Sequence, residues 1–305
     1  MKICEIIRRR YENPFQPGIK VNLYRNYEYR AMAKAIANLA NNPIESVMVG
    51  DSYFMTHLEG QSTQLTLEQS QLAKKILPEL VAEVRLEIER NEFGIKKPLL
   101  MADIPDGLSE SELLKILEDY KKAGADMVKL ELESEGELWL IRAITDLNMI
   151  PAIHLGYTPQ KNDNKTYGTT TSEISVFKAI INAGIEAGVQ SVIFERVAEV
   201  ANQIMTKYCL DRGLLPYSIF SGRAPLGGQS LNVWDSVVIP TRQSIFFPPT
   251  SVIRREQIEL EYNEKLITEC FKKLVTLTVA NVFPPSPRNN IELESYMSLL
   301  KESVL

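Results

Sequence analysis

Histidine is scarce in this chain: His57 and His154 are the only two among 305 residues. Cysteine is nearly as scarce, and Cys4, Cys209 and Cys270 lie far apart with no CxxC spacing. Those shortages argue against a zinc cage of clustered Cys and His and against a disulfide framework. Three separated thiols read as reduced cysteines of a cytoplasmic protein. Basic charge is not in excess either, with 34 basic against 39 acidic residues and a net charge of −5. Nucleic acid and anionic membrane surfaces both need a basic footprint, so neither is expected as a partner. No run approaches the ~18 apolar residues of a membrane helix. The N-terminus carries Glu5 and Arg8-Arg9-Arg10 with no apolar segment after them, unlike a secretory signal.

What the chain does have is apolar runs that end in ionisable groups. Val47-Met48-Val49-Gly50 delivers Asp51 and Ser52, and Leu99-Leu100-Met101-Ala102 delivers Asp103. Met127-Val128 runs into Lys129-Leu130-Glu131, Ile150-Pro151-Ala152-Ile153 into His154, and Ser191-Val192-Ile193-Phe194 into Glu195. Between these short runs lie longer stretches with helical spacing. Thr66 with Gln69, and Ser109 with Glu112, form capping-box patterns at two helix starts. Strands alternating with helices argue for a parallel sheet. A (β/α)8 barrel with extra C-terminal helices follows, because such a barrel turns all its strand C-termini to the face where sites are built.

The expected organisation is a single barrel domain over residues 1–305. Residues 1–18 form an N-terminal extension and 252–305 a C-terminal helical segment. Strands are expected at Ile19–Tyr24, Ser46–Gly50, Pro98–Asp103, Asp126–Leu132, Ile150–Gly156, Ser191–Val197 and Leu215–Phe220. The only late candidate for an eighth strand is Ser244–Phe247, cut short by Pro248-Pro249. Tyr53–Gln64 and Tyr157–Thr171 read as loops, the second long enough for a lid or binding loop.

Each polar strand end has a bland and a chemical reading. Asp51 and Asp103 either cap the following helices or bond to nearby backbone, or they are a pair of hard oxygen ligands suited to Mg²⁺. Lys129 and Glu131 point the same way from one strand, since side chains alternate. They form a structural ion pair, or Lys129 holds a substrate oxygen while Glu131 joins the metal shell directly or through water. His154 is a core histidine or a group at the site mouth. Glu195 is half of a surface pair with Arg196, or a general base. His57 is left out of the catalytic set.

These segments together resemble the ketopantoate hydroxymethyltransferase family. The resemblance rests on Val49-Gly50-Asp51-Ser52, Gly60-Gln61-Ser62-Thr63, Ala102-Asp103-Ile104-Pro105, the stretch from Ala123 to Glu131, the stretch from His154 to Gln160, and the strand ending in Glu195, all in order. It spans roughly Tyr27 to Asp235. It implies a barrel of the phosphoenolpyruvate mutase/isocitrate lyase superfamily, often decameric. The implied reaction is transfer of a hydroxymethyl group from 5,10-methylenetetrahydrofolate to 3-methyl-2-oxobutanoate, giving 2-dehydropantoate in pantothenate synthesis. By that resemblance Asp51, Asp103 and Glu131 are the Mg²⁺ positions and Ser52 bonds the substrate carboxylate. Lys129 and His154 contact its oxygens, and Glu195 takes the proton beside the ketone. The chain departs from the family pattern at Tyr53-Phe54, at Asp106-Gly107, after Glu131 and at Ser218–Arg223. Those positions shape the pocket, so the acceptor is 3-methyl-2-oxobutanoate or a related 2-oxo acid. The competing readings are a folate-independent C–C lyase or aldolase on another 2-oxo acid, and a non-catalytic barrel.

Overall fold

The computed structural model describes residues 2–39, 42–58, 65–132, 135–158, 165–222, 224–232, 264–280, 297–298 and 301. Its strands, β1 (Gly18–Asn22), β2 (Ile44–Val49), β3 (Leu99–Asp103), β4 (Met127–Glu131), β5 (Ile150–Gly156), β6 (Ser191–Glu195), β7 (Leu215–Ile219) and β8 (Gly228–Asn232), close in sequence order into a barrel. Helices α1 (Ile3–Glu12), α2 (Asn26–Ile36), α3 (Ser52–His57), α4 (Leu67–Arg90), α5 (Glu110–Ala123), α6 (Leu138–Asp146), α7 (Thr171–Ala187) and α8 (Glu199–Leu210) accompany them, and α9 (Glu264–Val279) is the extra C-terminal helix. The fold is the (β/α)8 barrel that the alternation of short and long segments predicts.

By their contacts the residues fall into two compact units. The first holds Ile19–Asp126 and the stretch Leu231–Pro284. Here β1, β2 and β3 pair in parallel, with Val47 opposite Leu100 and Val49 opposite Ala102. Every residue of β2 and β3 is buried, including Glu45 and Ser46 at the start of β2 and Asp103 at the end of β3, as strands of a covered parallel sheet are. Helix α4 begins at the expected capping box: the Thr66 hydroxyl accepts from Gln69 N–H and the Gln69 side chain accepts from Thr66 N–H. Helix α9 packs on α2. Its buried residues Ile267, Cys270, Phe271, Leu274 and Val275 recur at helical spacing and form one apolar stripe.

The second unit holds Lys2–Gly18 and Met127–Ser230, and carries four neighbouring strands, β4 to β7, joined at its end by Gly228–Ser230 of β8. Their register sets Glu131 opposite His154, Gly156 opposite Glu195 and Tyr217 opposite Gly228. Arg10 of α1 is buried beside β7, donating to the Pro216 carbonyl at 2.8 Å, with its guanidinium 5.0 Å from the Tyr217 ring centre. A Cβ on Gly228 would run into both Tyr217 and Arg10, so this close approach demands glycine.

Two expectations are corrected. The eighth strand is Gly228–Asn232, and Ser244–Phe247 lies outside the described residues. Gly-Gln-Ser-Leu-Asn has one large apolar side chain, so it offers no strand-like run, yet all five residues are buried by their neighbours. The loop after β2 begins instead with the short helix α3, Ser52–His57. Parts of the second expected loop and most of the C-terminal segment, including residues 281–296, also lie outside the described residues.

Candidate active site

In the first unit the strand ends gather negative charge. Asp103 closes β3 and is buried; Asp51 follows β2 and is half-buried. Asp51 occupies the N-cap of α3, but its side chain makes no capping hydrogen bond, so the capping reading of this aspartate fails. The Tyr120 hydroxyl of α5 donates to the Asp103 backbone carbonyl. Burial, and then the charges of Asp103 and Asp51, push the Tyr120 phenol well above its ordinary range. Gly50 leaves room for Asp103: a Cβ there would stand 2.8 Å from Asp103 Oδ2. This donor set, two aspartates beside a glycine-made cradle, fits a hard divalent cation such as Mg²⁺. Among the described residues no group of three or more His, Cys, Asp and Glu is placed to hold a metal ion.

Ser52 lies beside Asp51 and is buried, with its Oγ 2.7 Å from the Tyr24 hydroxyl at the end of β1. Sequence reasoning missed Tyr24 and its neighbours. One Glu28 oxygen accepts from the backbone N–H groups of Tyr24 and Arg25, and the other lies 3.4 Å from His57 Nε2. His57 stacks on Tyr53, with ring centres 4.8 Å apart and planes within 20°. His57 is thus tied into the wall behind Ser52, through the aromatic residue at which the chain departs from the family pattern. The one available signal was Glu28, three residues after Arg25 at a helix start.

In the second unit four of the expected residues meet. Lys129 Nζ is 3.5 Å from Glu131 Oε1. Both Glu131 oxygens face His154 Nδ1, at 2.7 and 2.9 Å. His154 Nε2 is 3.3 Å from Glu195 Oε2. Period-two alternation along β4 and the register of β4, β5 and β6 produce this run of alternating charge. Burial disfavours a charged His154, but the Glu131 carboxylate outweighs it against the opposing effect of Lys129. Hydrogen bonds to Glu131 and Glu195 add to the effect, and the imidazole is raised to about 9. Burial likewise opposes Glu131 ionisation and is overcome by His154 and Lys129, so this carboxyl is lowered. At neutral pH His154 is an imidazolium with each ring N–H directed at a carboxylate.

The turn after Glu195 is braced. Arg196 has a left-handed backbone (φ 52°), its N–H donates to the Ile219 carbonyl, and its guanidinium lies 4.0 Å from the Tyr157 ring centre. Ser221 Oγ accepts from Val197 N–H at 3.0 Å and donates to the Ile219 carbonyl at 2.9 Å. The side chain of Glu195 turns to His154 and that of Arg196 to Tyr157, so the surface-pair reading of Glu195 and Arg196 is not what the turn shows.

A parallel barrel with an acid pair on two strand ends and a charged run on three others belongs to the class that places its chemistry at strand C-termini. A sequence profile of the ketopantoate hydroxymethyltransferase family matches residues 20–210, and the chain belongs to that family. Two 3-methyl-2-oxobutanoate hydroxymethyltransferases illustrate the relationship. That of Corynebacterium diphtheriae is 30% identical over 173 residues, covering 54% of this chain and 59% of the relative. That of Aeropyrum pernix is 29% identical over 172 residues, covering 54% and 57%. The chain thus spans little more than half the length of these curated relatives. Among solved structures, 2,3-dimethylmalate lyase of the PEP mutase/isocitrate lyase superfamily aligns over 76% of this chain and 79% of its own, at 14% identity and a TM-score of 0.44.

Proposed function

We propose that this chain transfers a hydroxymethyl group from 5,10-methylenetetrahydrofolate to 3-methyl-2-oxobutanoate or a related 2-oxo acid. The observation that carries the reading is the contact run from Lys129 through Glu131 and His154 to Glu195, at strand ends inside the matched region. Asp51 and Asp103 would hold Mg²⁺, which when bound supplies Lewis acidity to the keto and carboxylate oxygens of a 2-oxo acid. Ser52, backed by Tyr24, would bond the carboxylate.

Glu195 takes the proton from the carbon beside the ketone. Two short contacts join His154 to Glu131, so that pair is neutral as a unit. His154 holds the Glu195 carboxylate in place through Nε2. Lys129 keeps a positive charge near the oxygen that becomes anionic, and such a fixed charge is worth most where water is excluded. The acceptor carbon then bonds the donor's one-carbon unit, water supplies the hydroxyl oxygen, and tetrahydrofolate leaves. Membership of the family further supports a place in pantothenate synthesis, self-assembly into a homo-oligomer and a cytoplasmic setting.

Proton NMR of 3-methyl-2-oxobutanoate in D₂O tests the first half of this reaction without the donor. The expected result is Mg²⁺-dependent loss of the C3 proton, slowed ~10²–10⁴-fold in Glu195→Gln, the usual range for a general base. Exchange that is unaffected by Glu195→Gln would remove Glu195 from the role. No exchange with this acid, 2-oxobutanoate or pyruvate would remove the reading itself.

A further inference from the structure

Lys20 is a buried cation that the proposed reaction leaves unused. It lies in the middle of β1 and is 1% exposed. Its Nζ donates to Asn22 Oδ1 at 2.6 Å, and Asn22 is the last residue of β1. The long side chain is thus drawn up its strand, toward the ends where Asp51 and Asp103 lie.

The register of the first unit places this charge. Lys20 stands beside Ser46, Asn22 beside Met48, and Met48 beside Met101. Asp103 is two residues beyond Met101 and on the same face, since side chains alternate. The nitrogen bonded to Asn22 is therefore one two-residue step, ~7 Å of strand, below the level of Asp103. Lys20 reaches this face through an irregularity. Ile19 pairs with Ile44 and Lys20 with Ser46, so the register skips Glu45. Such shifts re-aim a side chain and recur next to active sites. Glu45 is itself buried but faces away from the Ser46 side of the sheet. Among the residues of β1, β2 and β3 on the shared face, Lys20 and Asp103 are the ionisable ones. An ammonium so deeply buried is costly unless opposite charge is near, and the acid pair supplies it.

We propose that Lys20 is a charge-balancing residue of the site, which brings the net charge to zero once a 2-oxo acid has joined the metal. Two aspartates and Mg²⁺ sum to zero, the acid's carboxylate adds one negative charge, and Lys20 cancels it. Before the acid binds, the same ammonium repels the cation. Lys20 therefore weakens binding of the metal alone and strengthens binding of the acid to the metal-loaded site. This inference rests on the proposed binding of Mg²⁺ and a 2-oxo acid at Asp51 and Asp103.

The test is titration calorimetry on the full chain with two probes, Mg²⁺ alone and then 3-methyl-2-oxobutanoate at saturating Mg²⁺. Lys20→Met removes the ammonium, and Lys20→Gln removes the charge while keeping an N–H for Asn22. In both variants Mg²⁺ alone is expected to bind more tightly and the acid more weakly. Each shift should be about tenfold, the scale for unit charges several ångströms apart inside a protein. A lysine that serves only the fold would not move the two affinities in opposite directions. Any other pattern in a folded variant would overturn the proposal, and so would failure of both variants to fold, as read by circular dichroism. Wild type that binds both ligands, with no opposed shifts in the variants, defeats this inference alone. Wild type that fails to bind either ligand defeats the reading of function, and the inference with it.

Discussion

At the scale of single residues, His154 shows what placement adds to identity. As one of two histidines it had a core reading and a site reading; it is buried, and each ring nitrogen faces a carboxylate. Glu131 was expected at the metal, and both its oxygens are directed to His154. Its contribution to the proposed chemistry runs through the imidazolium it stabilises. Gly50 provides a sharp test on the other unit. A Cβ there would lie 2.8 and 2.9 Å from Asp103 Oδ2 and Cβ, so the aspartate must give way. Gly50→Ala is expected to lower stability by about 1–3 kcal/mol, the usual cost of overpacking a tight site. It should also abolish any Mg²⁺-dependent rise in melting temperature. A variant that melts like wild type and still responds to Mg²⁺ would mean that Asp103 has room to move without loss.

At the scale of elements, caps were the most legible feature. The sequence-marked capping box at Thr66 forms in full, and at Ser109 the Glu112 side chain accepts from the Ser109 N–H while the Ser109 hydroxyl turns to Glu112 and caps nothing. The second does more than start α5. Glu112 accepts from Ser109 N–H and also meets Lys74 and Gln71 of α4, joining the two helices. The Lys74 contact first, and then the Ser109 and Gln71 hydrogen bonds, hold the Glu112 carboxyl far below its ordinary 4.5. A carboxyl depressed in the folded state stabilises fully above its unfolded value and loses that effect as pH falls below it. Melting temperatures of wild type and Glu112→Gln should therefore differ most near neutrality and converge as pH drops below about 4.5. A constant difference from pH 7 to pH 3 would show that the solvent-exposed link contributes no ionisation-dependent stability. The element that escaped detection was β8. Its burial comes from neighbours such as Tyr217, and its glycine is required by a contact with Arg10, more than two hundred residues earlier.

At the scale of the whole molecule, the proposed metal gives a global signature. A ligand bound only by the folded state adds about 2.7 kcal/mol at a concentration one hundred times its dissociation constant. Mg²⁺ is accordingly expected to raise the melting temperature in a concentration-dependent way, with the rise lost in both Asp51→Asn and Asp103→Asn. Equal protection of wild type and both variants would place the cation elsewhere.

The sequence alone determined the barrel and most of its parts. Short apolar runs alternating with capped amphipathic stretches leave a parallel sheet as the economical way to bury both strand faces. The titratable groups at the ends of those runs were visible for the same reason, since charge in an apolar setting stands out. Tertiary structure decided who faces whom. Glu131 meets His154, and His154 meets Glu195, because the strand register sets Glu131 opposite His154 and Gly156 opposite Glu195. Tyr24 reaches Ser52, and Glu28 of α2 reaches His57, through contacts between separate elements. Such contacts depend on distances across the fold, and spacing along a chain does not encode them except through the packing that folding itself creates.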